Sequence, residues 1–245
     1  MDGNVNIQQN KLEPNTITVL VNSYRETEQR FRKAIKSILA NTDIDIQIIV
    51  STVTNDPCIP WAREYGANLV INAQPGIYSQ INNALPLIRG MYMCYASSND
   101  YMMPHKLHME RKILTETGKK VCYSSYLVGG INGKVKVRNF FDYDYSRHLK
   151  TNFVSDCAMV HTPTLLKYTP FELQYKNHAY YHLWLTIFEQ EGDVFFYNPT
   201  PTWRYIITAD SQHYQRKHNE QKRLQNEADR QFMLQKHIKH EPALK

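Results

Sequence analysis

Over residues 17–118 the chain alternates between short apolar runs and longer stretches with helical spacing. "ITVLVNS" (17–23), "IQIIVST" (46–52), "NLVIN" (68–72) and "MYMCYA" (91–96) read as buried strands. Between them, residues 26–41 place Phe31, Ile35, Ile38 and Leu39 on one helical face. Residues 59–66 read as a short helix with Gly66 near its end. Residues 76–90 repeat Ile77, Ile81, Leu85 and Ile88 at helical spacing, and Pro86 should break that helix. Residues 104–118 read as a helix with Pro104 at its first position and Gly118 beyond its end.

This alternation predicts an α/β chain, a Rossmann-like, mostly parallel sheet flanked by helices. In such sheets ligands bind beyond the carboxyl ends of the strands. Three polar segments fall there: "NSYRE" (22–26), "STVTND" (51–56) and "SSND" (97–100). Past residue 118 the pattern changes. Residues 120–140 read as strand, glycine-containing turn, strand, and 153–171 as a strand leading to a short helix. Residues 177–192 read as a helix with Tyr180, Leu183 and Ile187 towards the core, followed by closing strands in "DVFFYN" and "TWRYIIT". Residues 212–240 predict a last helix, with Leu224, Ala228 and Phe232 four apart on its apolar face. The expected organisation is one domain over 1–211 and a basic helical extension over 212–245.

Composition refines this picture in three places. With 245 residues, 42% hydrophobic and 21% charged, the chain can bury a large core without disulfides. The net charge of +6 is concentrated: residues 212–245 hold eight Lys or Arg against four acids. A solvated helix face and peripheral contact with an anionic membrane are both open readings of that tail. Nucleic acid is not an expected partner, because the surplus lies in one tail and no recognition motif accompanies it. The four cysteines form no CxxC pair, so reduced, buried thiols are expected. No signal-peptide pattern opens the sequence and no apolar run approaches 18 residues, which leads to the expectation of a soluble cytoplasmic protein.

"ITVLVNSYRETEQRFRKAIKSILANTDIDIQIIV" resembles the opening of family-2 glycosyltransferases with the GT-A fold. "GIYSQINNALPLIRGMYMCYASSNDYMMPHKL" resembles the stretch of that family that runs into its D-x-D-type metal motif. The resemblance spans about residues 17–213 and is specific over the first 115. It implies transfer of a hexose from a nucleotide-diphosphate sugar, most readily a UDP-sugar, to a glycan or other hydroxyl acceptor. It also implies Mn²⁺ or Mg²⁺ bridging the diphosphate, whose departing charge needs stabilising.

Carried over residue by residue, Asp100 matches the metal-binding aspartate, while Ser97, Ser98 and Asn99 depart from the acidic motif. Asn22, Ser23, Tyr24 and Glu26 match the nucleotide-lining turn, with Arg25 beside them. Ser51 stands where the family has a base-reading aspartate. Gly76, Tyr78, Asn82 and Asn83 match the helix that faces the nucleotide, and Asn99 lies beside the metal position. Arg204, Tyr205 and Ser211 match a late motif in which Thr208 replaces a histidine, with His213 as a substitute. The family's acidic pair ahead of a Leu-Trp helix, which supplies the catalytic base, falls here on Ala179 and Tyr180, before Leu183–Trp184. Asp156 and His178 are therefore the leading replacement bases, with Glu172 and His182 also nearby. Three readings stay open: an inverting enzyme with a displaced base, a retaining enzyme, or a degenerate domain that binds nucleotide or glycan without transfer.

Overall fold

The computed structural model describes residues 11–129, 134–208, 211, 214 and 218–238. Strands β1 (Glu13–Asn22), β2 (Asp45–Val53), β3 (Asn68–Asn72) and β4 (Gly90–Ser97) pair in parallel, in the order β4-β1-β2-β3. Their connections are α1 (Glu28–Leu39), α2 (Cys58–Glu64) and α3 (Ile77–Ala84), as the alternation predicts. Pro86 does end α3: the chain continues as a 3-10 turn over Leu85–Leu87. Strand β9 (Met159–His161) runs antiparallel beside β4, followed by β6 (Val121–Ser124) and β10 (Phe195–Asn198). The result is a seven-stranded, mostly parallel sheet.

A second, four-stranded sheet has the order β5-β11-β7-β8. It is built from β5 (Tyr101–Met102), β7 (Tyr126–Gly129), β8 (Val135–Arg138) and β11 (Trp203–Ile206). Its members come from segments about 100 residues apart, and β5 begins immediately after Asp100.

Helix α1 opens with Thr27, whose hydroxyl accepts the Arg30 amide, and buries Phe31, Ala34, Ile35 and Ile38 against the sheet. Leu39, expected on that face, is 43% exposed instead. Helix α4 (Lys106–Thr117) ends at Gly118, whose φ of 68° is the left-handed cap conformation glycine favours. Pro104 was expected at its first position but lies in the turn before it, because the helix begins after His105. Short helices α5 (Tyr145–Lys150) and α6 (Thr162–Lys167) flank the seven-stranded sheet's later strands. Helix α7 (Ala179–Glu191) is buried along most of its length, with Tyr180, Leu183 and Ile187 all inside. All four cysteines are free and buried.

The last helix, α8 (Glu220–Ile238), docks on α7 and on the 3-10 turn Leu173–His178 through Met233, Leu234 and His237. The expected apolar face is the outward one: Leu224 is 60% and Phe232 is 52% exposed. Both faces of this helix carry apolar residues, so spacing alone could not choose between them. The side that docks also supplies polar partners, Asn226, Asp229 and Arg230, to the surface beneath. No helix among the described residues is long and apolar enough to cross a membrane.

Candidate active site

Parallel pairing brings the three polar strand ends together. Asn22 at the end of β1 is in register with Ser51 of β2 on one side and Ser97 of β4 on the other. This is the carboxyl edge of the sheet, where the chain leaves each strand and side chains are free to face a ligand.

The turn after β1 is held by Asp56. Its Oδ2 accepts the Arg25 amide at 2.7 Å and its Oδ1 the Cys58 amide at 2.9 Å. Burial alone would raise the Asp56 pKa, but these two donors outweigh it and hold the carboxylate below its ordinary value. Arg25, at φ 50°, sits in the left-handed region that this clamp stabilises. Sequence reasoning missed Asp56. Its signal was an Asp-Pro turn with an amide two residues on, the pattern by which an aspartate ties down its own loop.

A cleft of about 420 Å³ opens at this edge, between the two sheets. Ser97, Asn99 and Asp100 line it, as do Ser155, Asp156 and Cys157 just before β9. The Ser97 hydroxyl donates to Asn99 Oδ1 at 2.6 Å. Asp100 is only 9% exposed, and its Oδ1 accepts the Ile206 amide of β11 at 2.9 Å. Burial pushes its pKa up to about 7, with the Ile206 donor opposing and Glu26 adding to the rise. The Cys157 thiol is raised well above its ordinary value, first by burial and then by Asp100. It is therefore held neutral beside the carboxylates.

The other expected nucleotide residues do not line this cleft; they shape its surroundings. Asn22 Nδ2 donates to the Ile77 carbonyl at 3.0 Å, and Ile77 itself reaches the cleft. Ser23 is buried near the Cys58 thiol. Tyr24 is half exposed, with the Arg25 guanidinium 5.4 Å from its ring. Glu26 accepts the Thr27 amide at 2.8 Å. Ser51 is fully buried: its hydroxyl donates to the Gln80 carbonyl at 2.9 Å and accepts from Asn72 at 3.1 Å. Gly76 precedes the first turn of α3, Tyr78 packs on Phe171 and Tyr180, and Asn82 clamps the Phe171 backbone at 2.7 and 2.9 Å. Asn83 donates to Asn72 at 2.7 Å.

Of the replacement bases, Asp156 borders the cleft. His178 stands elsewhere, its Nε2 3.0 Å from the Asn226 carbonyl of α8. His182 and Glu172 meet Lys236 and His237 at the same seam. Tyr180, at the position of the family's acidic pair, is sealed among Tyr78, Tyr95, Phe171 and Trp184. Its hydroxyl has no partner among the described residues, and burial holds it protonated. His213 lies outside the described residues. Tyr205 and Ser211, matched to the late motif in the sequence, both line the cleft; what the sequence did not announce is that Tyr126 and Trp203 join Tyr205 in an aromatic wall supplied by the small sheet.

The metal question turns on the donor set. Asp100 and the side-chain oxygens of Asn99 and Ser97 are hard ligands suited to Mg²⁺ or Mn²⁺. The Ile206 amide occupies Asp100 Oδ1. Among the described residues no group of three His, Cys, Asp or Glu side chains is placed to hold a metal. The residues therefore fit an ion that a diphosphate and water would coordinate on its remaining sides.

Neither a protein-family model nor a curated protein sequence matches the chain. Solved structures do. The S. aureus TarS fragment 1–349 bound to UDP superposes with a TM-score of 0.66 at 15% identity, over 82% of this chain and 63% of that one. The same fragment with UDP-GlcNAc gives 0.64 at 15% identity, over 92% and 72%. Glucosyl-3-phosphoglycerate synthase from Mycobacterium tuberculosis, with Mn²⁺, UDP and its glucosylated product, gives 0.57 at 16%, over 77% and 71%. The chain thus has the GT-A glycosyltransferase fold, a mixed α/β architecture on a mostly parallel sheet. It spans 63% of the length of the TarS fragment.

Proposed function

We propose that this chain is a glycosyltransferase that moves a sugar from a nucleoside-diphosphate donor, UDP-linked, to a hydroxyl group of a glycan. The observation that carries the reading is the meeting of Asp100 and Asp156 in one cleft at the carboxyl edge of a GT-A sheet. Structures with that fold hold UDP, UDP-GlcNAc and, in one case, Mn²⁺.

In this reading Asp100, with Asn99 beside it, would hold a divalent ion, which would supply positive charge to offset the charge that builds on a departing diphosphate. Asn22 fixes the Ile77 backbone and Asp56 fixes the turn at Arg25, so the donor meets a preformed edge. Asp156 faces the acceptor side and accepts the hydroxyl proton as the bond to the sugar forms.

The test is a thermal-shift panel of UDP, GDP, dTDP and CDP, each with and without Mn²⁺, combined with UDP release from UDP-GlcNAc. The reading expects UDP to raise the midpoint in the presence of metal, with the gain lost in Asp100→Ala. No nucleotide effect on midpoint or turnover would overturn it. A second reading, a GT-A domain that binds without transfer, is favoured by Tyr180, a neutral phenol where the family carries its base. Nucleotide binding with no UDP release from any donor would select it.

A further inference from the structure

The small sheet sets three aromatic side chains and two cations on one face. Register sets Tyr126 opposite Arg138 and Val128 opposite Lys136 across β7 and β8. It sets Tyr205 opposite Val128 across β11 and β7. Paired residues share a face, and alternate residues along a strand return to it. Trp203, Tyr205, Tyr126, Arg138 and Lys136 therefore project from one side, with Val128 among them, and Leu127, Val135, Val137, Ile206, Arg204 and Tyr101 from the other. The first four of the former set line the cleft.

The rings form one surface. Tyr126 lies 4.4 Å from Trp203 between centroids, and Tyr205 meets both edge-on at 6.5 and 6.0 Å. That surface runs up to a cation. Arg138 is exposed, with its guanidinium 5.7 Å from the Phe140 ring, and it makes no ion pair among the described residues. Lys136 follows two residues away at the exposed rim. Asp100 is bonded to Ile206 of β11, while Arg138 is on β8, two strands across and three register positions further along the small sheet.

We infer that this face is the acceptor subsite and that it takes an anionic saccharide, an inference that rests on the glycosyl-transfer reading above. The apolar C–H face of a sugar ring packs on Tyr126 and Tyr205, as such faces do on aromatic surfaces. A phosphate or carboxylate on the same chain meets the fork of Arg138, whose planar donors match either anion, with Lys136 adding charge at the rim.

The test uses one glucan oligosaccharide in three forms: neutral, phosphorylated at C6 and oxidised to the carboxylate at C6. Each is titrated against the full chain by tryptophan fluorescence, and UDP midpoint shifts with Mn²⁺ are recorded in parallel. The proposal expects at least one anionic form to bind about tenfold more tightly than the neutral one. The better of the two identifies phosphate or carboxylate as the group recognised. Arg138→Ala should erase that preference, Arg138→Lys should retain part of it, and the UDP shift should be unchanged in both. Equal affinity for all three forms, or a preference that survives Arg138→Ala, overturns the inference. A preference that depends on Arg138 in a chain that UDP does not stabilise would uphold the anionic subsite and remove the donor reading instead.

Discussion

The Ile206 amide donates to Asp100 Oδ1 at 2.9 Å, tying the end of β4 to the small sheet across 106 residues of chain. One carboxylate oxygen is thereby fixed, in a residue that also lines the cleft. Asp100→Asn keeps an acceptor for Ile206 but loses the charge. It should fold normally and lose the Mn²⁺-dependent part of the UDP midpoint shift, with turnover down about 10²–10³-fold, the scale of losing one electrostatic contact to a leaving group. Unchanged metal dependence in this variant would show that the ion is held elsewhere.

Asp156 should separate from Asp100 in kinetics. Asp156→Asn is expected to retain the UDP shift and to lower kcat by about 10²–10⁴-fold, the usual contribution of a positioned base. Tyr180→Phe, which removes a buried hydroxyl without a partner, should change kcat little. A large fall in kcat for Tyr180→Phe with none for Asp156→Asn would reverse these roles.

Behind the cleft, Lys106 and Glu110 form a sealed pair at 2.6 Å, with relative side-chain exposures of 1% and 0%. Lys106 also donates to the Cys157 carbonyl, and Glu110 accepts from Ser124 and Thr202. Burial opposes the lysine charge, but Glu110 outweighs it and the ammonium's pKa is raised. Lys106→Met strands a buried carboxylate and should cost about 3–5 kcal/mol in denaturant unfolding. The double change Lys106→Met/Glu110→Leu should recover much of that loss.

The seam beneath α8 carries an acid sensitivity. His182 Nδ1 is 2.6 Å from His237 Nε2, with Lys236 and Glu172 at its other nitrogen. Burial, then His237 and Lys236, push the His182 pKa down to about 4, and burial pushes His148 to about 3. Both lie below the unfolded value of 6.5, so the unfolded chain binds more protons in acid. The stabilisation is complete above about pH 6.5 and is lost as pH falls towards about 4, at up to about 1.4 kcal/mol per pKa unit for each group. Urea midpoints should decline over that window, and less steeply in His182→Gln.

The docked face of α8 can be checked by paired truncations. Met233→Ala should destabilise by about 2–5 kcal/mol because the side chain is fully buried. Leu224→Gln, on the exposed side, should stay within about 0.5 kcal/mol. The reverse ranking would restore the face that spacing alone suggests.

Apart from the two-residue strand β5, the sequence by itself determined the order and type of the elements over residues 17–118, because hydrophobic period is a local property and each longer strand or helix there keeps one period throughout. It also marked the break at Pro86 and the cap at Gly118, where backbone chemistry acts within a single residue. Through the resemblance it carries, it pointed to Asp100, while Asp156 was one of four candidates for a base that the resemblance leaves missing. Tertiary structure alone decided the rest. Which face of α8 docks depended on the surface it meets. That His178 and His182 turn to α8 rather than to the cleft depended on the position of α7. The pairing of Tyr126 with Arg138 belongs to the local β7–β8 hairpin that the glycine-containing turn predicts, but the aromatic wall is completed only when β11 pairs with β7 from a distant part of the chain, a partner set by the packed whole and not by any local pattern.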